Sequence, residues 1–282
     1  METAALVALL REGGRAWTSY VLAARQRGTE RVSALTILEQ ELGLLSYEAL
    51  TRAQQDIEAW QARGFQVLPA SDREYPENLR VVENRPPLLF IAGRLAAIDR
   101  RAVSVIGTRQ PSDTGRALAR SIGQALALAG YTVVSGLAAG VDAEAHRAVL
   151  DLQAGERARS VRTLAVLGTG LGEVYPPDHA QLQSEVAAGG ALVSQFWPDA
   201  PPTRNSFPAR NAVMSGLTLG SVIVEAGEHS GTRIQARHAL TQGRVVVLMP
   251  PTMRCAWAAQ LAEQPGVVVA QNAADVVEVF KR

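Results

Sequence analysis

From residue 101 onward, short apolar runs alternate with longer amphipathic stretches. The runs, most of which end in Gly, Ser or Pro, are AVSVIG, YTVVSG, VRTLAVLG, ALVSQF, GSVIVEA, RVVVLMP and GVVVA. Between them lie helix-length stretches such as TGRALARSIGQALALAG and GTRIQARHALTQG. Strands that alternate with helices indicate right-handed βαβ units, and therefore a parallel sheet with helices on both faces. The pattern predicts an α/β fold for this part of the chain.

The N-terminal part of the chain follows a helical pattern instead. Apolar residues recur at helical spacing at Leu6, Leu9, Leu10, Trp17, Val21 and Leu22. Two further apolar stripes are separated at Gly43, and Gly64 ends the last predicted helix. Residues 65–95 then carry short strand-like runs punctuated by proline. We predict a small all-α domain over residues 1–64 and an α/β domain over residues 65–282.

Composition limits the compartment and the chemistry. The chain has 282 residues, of which 47% are hydrophobic, and 28 Lys and Arg balance 27 Asp and Glu. This balance excludes a bulk polycation, although a local basic groove stays possible. A single cysteine, Cys255, forbids an internal disulfide and fits a reducing compartment. No signal segment, long apolar run or metal-ligand spacing is present. We expect a cytoplasmic protein with no membrane contact, no metal and no cofactor.

Small residues follow four of the predicted strands, at the sheet edge where ligands of parallel sheets bind. They are Gly107, Thr108 and Ser112; Ser135, Gly136 and Gly140; Gly168 and Gly170; and Ser230, Gly231 and Thr232. Glycine lets backbone N–H groups approach an anion, and a following helix N-terminus adds unpaired donors. We predict a phosphate cradle built from these turns, with Asp142 as the N-cap of the next helix. The alternative is that the glycines only permit tight strand-to-helix turns.

A proline-rich stretch, PDAPPTRNSFPARNAVMSG, suggests what the phosphate belongs to. It offers Arg204, Phe207, Arg210 and Asn211 within eight positions. Bases stack on aromatic rings and guanidinium groups contact phosphates, so an aromatic between arginines on a loop suits single-stranded nucleic acid. The alternative is that Phe207 belongs to the core beneath an irregular loop.

Two nucleotide-binding classes are disfavoured by missing motifs. No G-x-G-x-x-G follows the first strand after residue 101, and no G-x-x-x-x-G-K-[ST] occurs anywhere. These absences argue against a dinucleotide-dependent enzyme and a P-loop ATPase. His146 could act as a general base, but a lone histidine one turn into a helix is more often structural. We therefore expect no catalytic residue.

Taken together, these segments resemble the DprA/Smf family of bacterial DNA-processing proteins. The matching pieces, in family order, are YPENL, PPLLFIAG, VSVIGTRQPSDTG, VVSGLAAGVDAEAH, TLAVLGTGLGEVYPPDHAQL, FPARN and VIVEAGEHSGTRIQARHALTQGRVVVLMP. The resemblance implies an extended Rossmann-like parallel sheet with helices on both faces. It also implies single-stranded DNA binding without hydrolysis in natural transformation, a homodimer, and loading of the RecA recombinase.

The resemblance assigns roles to particular residues. Arg109 matches the family's strand-binding arginine, and Phe207 matches its base-stacking aromatic. Arg204 lies where the family often has a basic residue, and Arg210-Asn211 match the pair that follows the aromatic. The N-terminal helices resemble, more loosely, the family's small SAM- or HhH-like domain.

The chain also departs from the family pattern. Gln195 replaces a usual glutamate and Ala212 a common basic residue, while the family's VPG is Met249-Pro250-Pro251. Many members carry a C-terminal winged helix, which we do not expect in a chain that stops at Arg282. A diverged paralogue is therefore an open alternative.

Two other functions remain open within this fold superfamily. One is a phosphoribohydrolase, in which a G-G-x-G-T turn precedes a catalytic glutamate. Here the comparable position is Gln235, which cannot act as an acid or base, and Glu225 is the nearby carboxylate that could substitute. The other is a module that senses a small nucleotide without chemistry. A stacking loop favours a polymer, whereas a closed pocket would favour a nucleotide.

Overall fold

The computed structural model describes residues 1–12, 33–43, 46–155, 160–228 and 230–281. Its strands form one nine-stranded sheet in the order β1-β2-β6-β5-β4-β3-β7-β8-β9. They are β1 (Phe65–Pro69), β2 (Leu88–Gly93), β3 (Ala102–Ile106), β4 (Thr132–Ser135), β5 (Thr163–Val166), β6 (Ala191–Ser194), β7 (Gly220–Ile223), β8 (Val245–Leu248) and β9 (Val267–Val269). The apolar runs after residue 101 all form strands, so the predicted α/β fold is confirmed.

Strand direction divides the sheet into a parallel body and an antiparallel edge. Strands β3 to β9 pair in parallel. The proline-punctuated runs form β1 and β2, which pair with each other in antiparallel fashion, and β2 also pairs with β6 in antiparallel fashion. The carboxyl ends of the parallel strands therefore share one edge, as the prediction of a ligand site at that edge requires.

Helices cover both faces of the sheet. They are α1 (Glu2–Glu12), α2 (Ala34–Leu42), α3 (Ser46–Ala62), α4 (Glu77–Arg80), α5 (Asp113–Leu128), α6 (Val141–Ala154), α7 (Ala180–Gly189), α8 (Ser206–Leu217), α9 (Thr232–Thr241), α10 (Ala256–Ala262) and α11 (Ala273–Lys281). Helices α4, α8, α9 and α10 contribute to the core on one face. The other face is covered by α5, α6 and α11 over the middle of the sheet, and by α1, α2, α3 and α7 nearer β2. No described helix combines the length and apolarity that a membrane crossing requires.

The N-terminal helices pack directly on the sheet. Leu9, Leu38 and Trp60 belong to the same buried cluster as Phe90 of β2 and Leu192 of β6. Because the described helices share this core, the division at residue 64 stays a prediction about chain organisation. The predicted helix breaks do occur: α2 ends at a C-cap glycine, Gly43, and the turn after α3 contains Gly64 with a φ of 81°. Trp17, Val21 and Leu22 lie outside the described residues.

The chain reverses its direction of strand addition between β3 and β7. It passes outward through β4, β5 and β6 before β7 returns to the other side of β3. Such a switch point often forms a ligand crevice. Here Glu225 bridges it, because the Glu225 carbonyl accepts from the Thr108 N–H at 2.7 Å and its carboxylate accepts from the Ser112 N–H at 3.0 Å. The pocket described below lies beside this switch point, at the carboxyl ends of β3, β4 and β5.

Candidate nucleic-acid interface

A pocket of about 70 Å³ opens at the carboxyl ends of β3, β4 and β5. Its lining residues are Arg109, Gly136, Ala138, Ala139, Leu167, Gly168, Thr169, Tyr175, Pro176, Phe207 and Arg210. Three adjacent strands contribute because their following turns meet at the same edge. The first residues of α8 close the side opposite these turns. No cluster of His, Cys, Asp or Glu that could hold a metal ion occurs in the part of the chain that the structure describes.

Arg210 brings a buried positive charge to this pocket. Its side chain donates from Nη1 to the Val166 carbonyl oxygen at 3.0 Å, while its Nε has no hydrogen-bond partner. Burial lowers the pKa of Arg210, the charge of Arg109 lowers it further, and Asp142 opposes both effects. Two arginines that line one small pocket repel each other, and an anion placed between them would relieve that repulsion. The pocket is therefore suited to a phosphate.

Asp142 holds a turn that lines this pocket and does not cap a helix. The prediction that Asp142 is an N-cap is wrong, since Gly140 occupies that position and Asp142 lies in the first turn of α6. Its carboxylate accepts from the Gly136 N–H at 3.0 Å. Burial raises the pKa of Asp142, and the charge of Arg210 is the largest effect that lowers it. Asp142 therefore holds the turn after β4 and compensates the buried guanidinium.

Phe207 lies between the turns and solvent. It belongs to the first turn of α8, not to a loop, and its side chain is half-buried. Arg109 lies over the ring, with its Cζ 5.9 Å from the centroid, and the Tyr175 ring is 5.4 Å away. A Cβ at Gly168 would come within 2.7 Å of the ring, so only glycine allows the β5 turn to pack this closely. The partial exposure disfavours a purely structural, core phenylalanine.

Two reciprocal hydrogen bonds between Thr203 and Ser206 restrict the position of Phe207. The Ser206 N–H donates to the Thr203 hydroxyl at 3.0 Å, and the Thr203 N–H donates to the Ser206 hydroxyl at 3.1 Å. These bonds close the turn that leads into α8, whose N-cap is Asn205, and so restrict where Phe207 emerges. The preceding Pro201 and Pro202 restrict the backbone that leads into this turn.

The structure brings together only part of the predicted site. Arg109, Gly136, Gly168, Phe207 and Arg210 line one pocket. Arg204 is exposed in the turn before α8, and Asn211 is half-buried one residue after Arg210. Neither lines the pocket. Arg204 therefore lies where it could contact a strand that continues past Phe207.

Several donors predicted for the phosphate cradle bond within the protein instead. The buried Ser135 hydroxyl lies 2.6 Å from the Val105 carbonyl oxygen, inside the sheet. The Ser112 hydroxyl donates to Glu225 at 2.9 Å and accepts from the Gly115 N–H as the N-cap of α5. These bonds correct the prediction for Ser112 and Ser135, whose hydroxyls stabilise turns.

The remaining cradle residues fall into two groups. Gly107, Thr108, Gly140 and Gly170 pack the turns against their neighbours, outside the pocket lining. Ser230, Gly231 and Thr232 precede or begin α9 after β7, where the Ser230 hydroxyl accepts from the Thr232 N–H at 3.3 Å. The pocket thus depends on arginine side chains more than on backbone donors. The sequence could not show this, because a glycine turn has the same composition in both roles.

Tyr175, Pro176 and Thr169 line the pocket without having been predicted as site residues. Tyr175 is 36% exposed, so its ring is available to a ligand next to Phe207. A signal was present in the segment GLGEVYPPDH, which has an aromatic beside prolines directly after a glycine turn.

His146 lies beneath the site, fully buried, as expected for a structural histidine. The Thr163 hydroxyl donates to the Val133 carbonyl at 2.9 Å, so His146 Nδ1, 2.7 Å from that hydroxyl, must be the donor to it. Its Nε2 is then an unprotonated acceptor with no hydrogen-bond partner. Burial, aided by the nearby charge of His179, lowers the pKa of His146 to about 3.

This neutral histidine makes stability depend on pH. The unfolded chain protonates the imidazole near pH 6.5, whereas the folded chain does not until about pH 3. Acidification from pH 7.5 to pH 5 should therefore cost about 2 kcal/mol of unfolding free energy through this residue. Urea unfolding of wild type and His146→Asn at both pH values measures it. The variant keeps a donor toward Thr163 and should lose about 2 kcal/mol less on acidification; equal losses would contradict the assignment.

The nine-stranded sheet and the pocket at its carboxyl edge define a Rossmann-like α/β protein with an arginine-lined candidate site at its strand ends. The chain belongs to the DNA recombination-mediator protein A family, which it matches over residues 66–281. It is therefore a member of a family of DNA recombination mediators.

Individual relatives support the family assignment. Protein Smf from Escherichia coli is 40% identical over 185 residues, which are 65% of this chain and 48% of that protein. Protein Smf from Synechocystis is 39% identical over 200 residues, covering 70% of this chain and 48% of that protein. DNA processing protein DprA from Bacillus subtilis is 31% identical, covering 69% and 64%. The chain thus spans about half the length of the two Smf relatives.

Solved structures show the same fold. DNA processing protein A from Streptococcus pneumoniae superposes with a TM-score of 0.77 at 26% identity, covering 99% of this chain and 98% of that one. The Helicobacter pylori protein, studied for its single-stranded DNA binding mode, superposes with a TM-score of 0.66 at 24% identity, covering 77% and 95%.

Proposed function

We propose that this protein binds single-stranded DNA without catalysis. One phosphate enters the pocket between Arg109 and Arg210, and a neighbouring base stacks on Phe207. The observation that carries this proposal is the buried, unpartnered Nε of Arg210 in a pocket that also contains Arg109. An unsatisfied buried donor costs about 1–3 kcal/mol, and a phosphate oxygen is an acceptor that can satisfy it.

Pocket size favours a polymer over a small nucleotide. Pockets that enclose a small molecule usually measure about 300–1,000 Å³. The volume here is about 70 Å³, which suits a phosphate group and not a nucleoside. The sugar and base must then lie outside, where Phe207, Tyr175 and the exposed Arg204 are available. This arrangement supports a strand that passes over the pocket.

The phosphoribohydrolase alternative lacks an available carboxylate at the predicted positions. Gln235 is 1% exposed and directs its amide toward the Ser221 hydroxyl at 3.4 Å. Glu225, the candidate substitute, is bonded to the Ser112 N–H and hydroxyl. Both donors meet the same oxygen, Oε2, so the Glu225 carboxylate is engaged in holding the turn that precedes α5. These contacts support a binding role.

Further aspects of the proposal come from the family. We propose that the protein acts as a homodimer in the cytoplasm, loads RecA onto the bound strand, and serves natural transformation. The Helicobacter pylori protein of this fold binds single-stranded DNA. RecA loading is tested by timing filament assembly on single strands with and without this protein; an unchanged assembly time would contradict it.

The central test is equilibrium binding of a fluorescent oligothymidylate, with no nucleotide or metal added. We expect salt-sensitive binding to the single strand, with a slope of roughly −0.7 per phosphate contact, and weak binding to duplex. Arg109→Ala should remove most of the affinity, while Arg73→Ala, at an exposed arginine between β1 and α4, should not. Absence of binding at low salt would refute the proposed function.

Truncation of Phe207 measures the stacking contribution. We expect Phe207→Ala to lower the affinity for oligothymidylate by about 1–3 kcal/mol, because one base loses its stacking partner. Phe207→Tyr should retain most of the affinity, since it keeps the ring. Equal affinity of the alanine variant and wild type would show that the ring only packs against Gly168.

A further inference from the structure

We infer that the N-terminal helices hold the proposed strand-binding edge in place, and that Trp197 is the positioning residue through which they act. This inference rests on the proposed function and adds a role for the helices. The segment of residues 195–205 connects β6 to α8, and Phe207 and Arg210 lie near the start of that helix. Its placement therefore decides where both residues lie.

Trp197 is packed against the helical region by aromatic contacts. Its ring stacks on Trp60 of α3, with centroids 5.7 Å apart and planes 28° apart. Phe90 of β2 meets it edge-on at 5.8 Å, and Arg11 of α1 lies over it with Cζ 4.9 Å from the ring. Aromatic pairs add about 0.5–1.5 kcal/mol beyond buried area, and a cation over a ring adds a similar amount. Two helices and a strand thus hold one side chain.

Ion pairs also join the N-terminal helical region to the segment that contains Trp197. Arg63, just after α3, pairs with Asp199 at 2.8 Å, two residues beyond Trp197. Arg11 is itself oriented by Asp56 of α3 at 3.2 Å. Exposed ion pairs contribute little to stability, so the aromatic contacts of Trp197 carry most of the hold on the segment.

The segment of residues 195–205 also forms hydrogen bonds to the turn after β5, which lines another side of the pocket. The Gly170 N–H donates to the Ala200 carbonyl at 2.9 Å, and the Gly172 N–H donates to the Pro198 carbonyl at 2.8 Å. These glycines belong to the turn after β5, between the pocket residues Thr169 and Tyr175. A shift of the segment would therefore move this wall as well.

The position of the segment also determines the position of α8, which follows it in the chain. Only five residues separate Ala200 from the start of α8 at Ser206, and two of them are the prolines Pro201 and Pro202. Prolines fix φ, so this connection cannot absorb a displacement by rotating freely. The reciprocal Thr203–Ser206 hydrogen bonds then fix the turn that leads into the first turn of α8, which contains Phe207. Loss of the Trp197 contacts should therefore make the position of Phe207 less fixed, although Phe207 itself is unchanged.

The experiment compares Trp197→Ala with a matched truncation elsewhere. Trp257 is also packed in the protein, 5% exposed, with its indole donating to the Gly227 carbonyl, and it lines neither the pocket nor the segment. We expect Trp197→Ala to weaken oligothymidylate binding about tenfold. Trp257→Ala should leave binding within about twofold of wild type. Trp197→Phe, which keeps a ring, should restore most of the affinity. An unchanged affinity in Trp197→Ala, or equal losses at both tryptophans, would overturn the inference.

A double variant and an exchange measurement separate positioning from general damage. If Trp197 acts through Phe207, Trp197→Ala should cost much less affinity in the Phe207→Ala background than alone. Amide hydrogen exchange of the free protein should show faster exchange at residues 203–210 in Trp197→Ala, and not in Trp257→Ala. This measurement needs no DNA, so it tests the inference even if wild type fails to bind, which would refute the proposed function alone. Unchanged protection of residues 203–210 would overturn the positioning role.

Discussion

Replacing Asp142 with asparagine is expected to lower the free energy of unfolding by about 3 kcal/mol at pH 8. Asparagine can still accept from the Gly136 N–H, so the loss isolates the negative charge. That charge compensates Arg210, whose side chain is 6% exposed. Asp142 and Arg210 are not in direct ion-pair contact, so we take the lower end of the about 3–5 kcal/mol that removing one partner of a buried charge pair costs, because the other charge is left uncompensated. Urea unfolding followed by circular dichroism gives the difference.

Asp151 supplies a matched control for this prediction. It lies near the end of the same helix and pairs with Arg120, but its side chain is 60% exposed. Exposed pairs contribute about 0–1 kcal/mol, so Asp151→Asn should change stability by no more than that. Similar losses in the two variants would show that the charge of Asp142 does not compensate Arg210. Asp142→Asn should also weaken oligothymidylate binding if Arg210 shifts.

Replacing Gly140 with alanine is expected to cost about 3 kcal/mol or more of stability. Gly140 has a φ of 80° and a ψ of −126°, outside the left-handed α region, and holding a residue with a Cβ in such a sparsely populated conformation costs about 1–3 kcal/mol. A Cβ there would also come within 2.4 Å of the Thr108 carbonyl oxygen and 2.7 Å of Arg109 backbone atoms. Backbone must then move, which adds about 1–3 kcal/mol. Because Arg109 belongs to the moved segment, oligothymidylate affinity should fall as well.

Gly243 provides a control that separates the cost of the backbone conformation from the cost of the Cβ clash. Its φ is 70°, but a Cβ there would meet nothing within 4 Å. Gly243→Ala should therefore cost only about 1–2 kcal/mol and leave binding unchanged. If both alanine variants lose the same stability, the close packing of the β3 and β4 turns contributes nothing measurable. Thermal unfolding of the two variants beside wild type decides this.

Particular residues show how far the sequence could predict the site. Phe207 and Arg210 were predicted because a ring beside guanidinium groups suits base and phosphate chemistry in any fold, and Arg109 was predicted from the family resemblance; the structure places all three at one pocket. Tyr175 was not, since it is remote in sequence from Phe207 and becomes its neighbour only through the packing of the β5 turn. The roles of Ser112 and Ser135 were also out of reach. Their partners, Glu225 and the Val105 carbonyl, lie 113 and 30 residues away along the chain.

The alternation of strands and helices, the parallel body of the sheet and membership of a recombination-mediator family could all be predicted from the amino-acid sequence. These follow from local periodicity and from motifs whose spacing survives without coordinates. The three-dimensional fold was needed to show which strand-end turns meet, which donors bond within the protein, and how the N-terminal helices pack against the segment containing Trp197. The physical reason is that a glycine or serine turn has the same composition whether its donors bind an anion or a neighbouring turn. Contacts between residues far apart in the chain settle which of the two occurs.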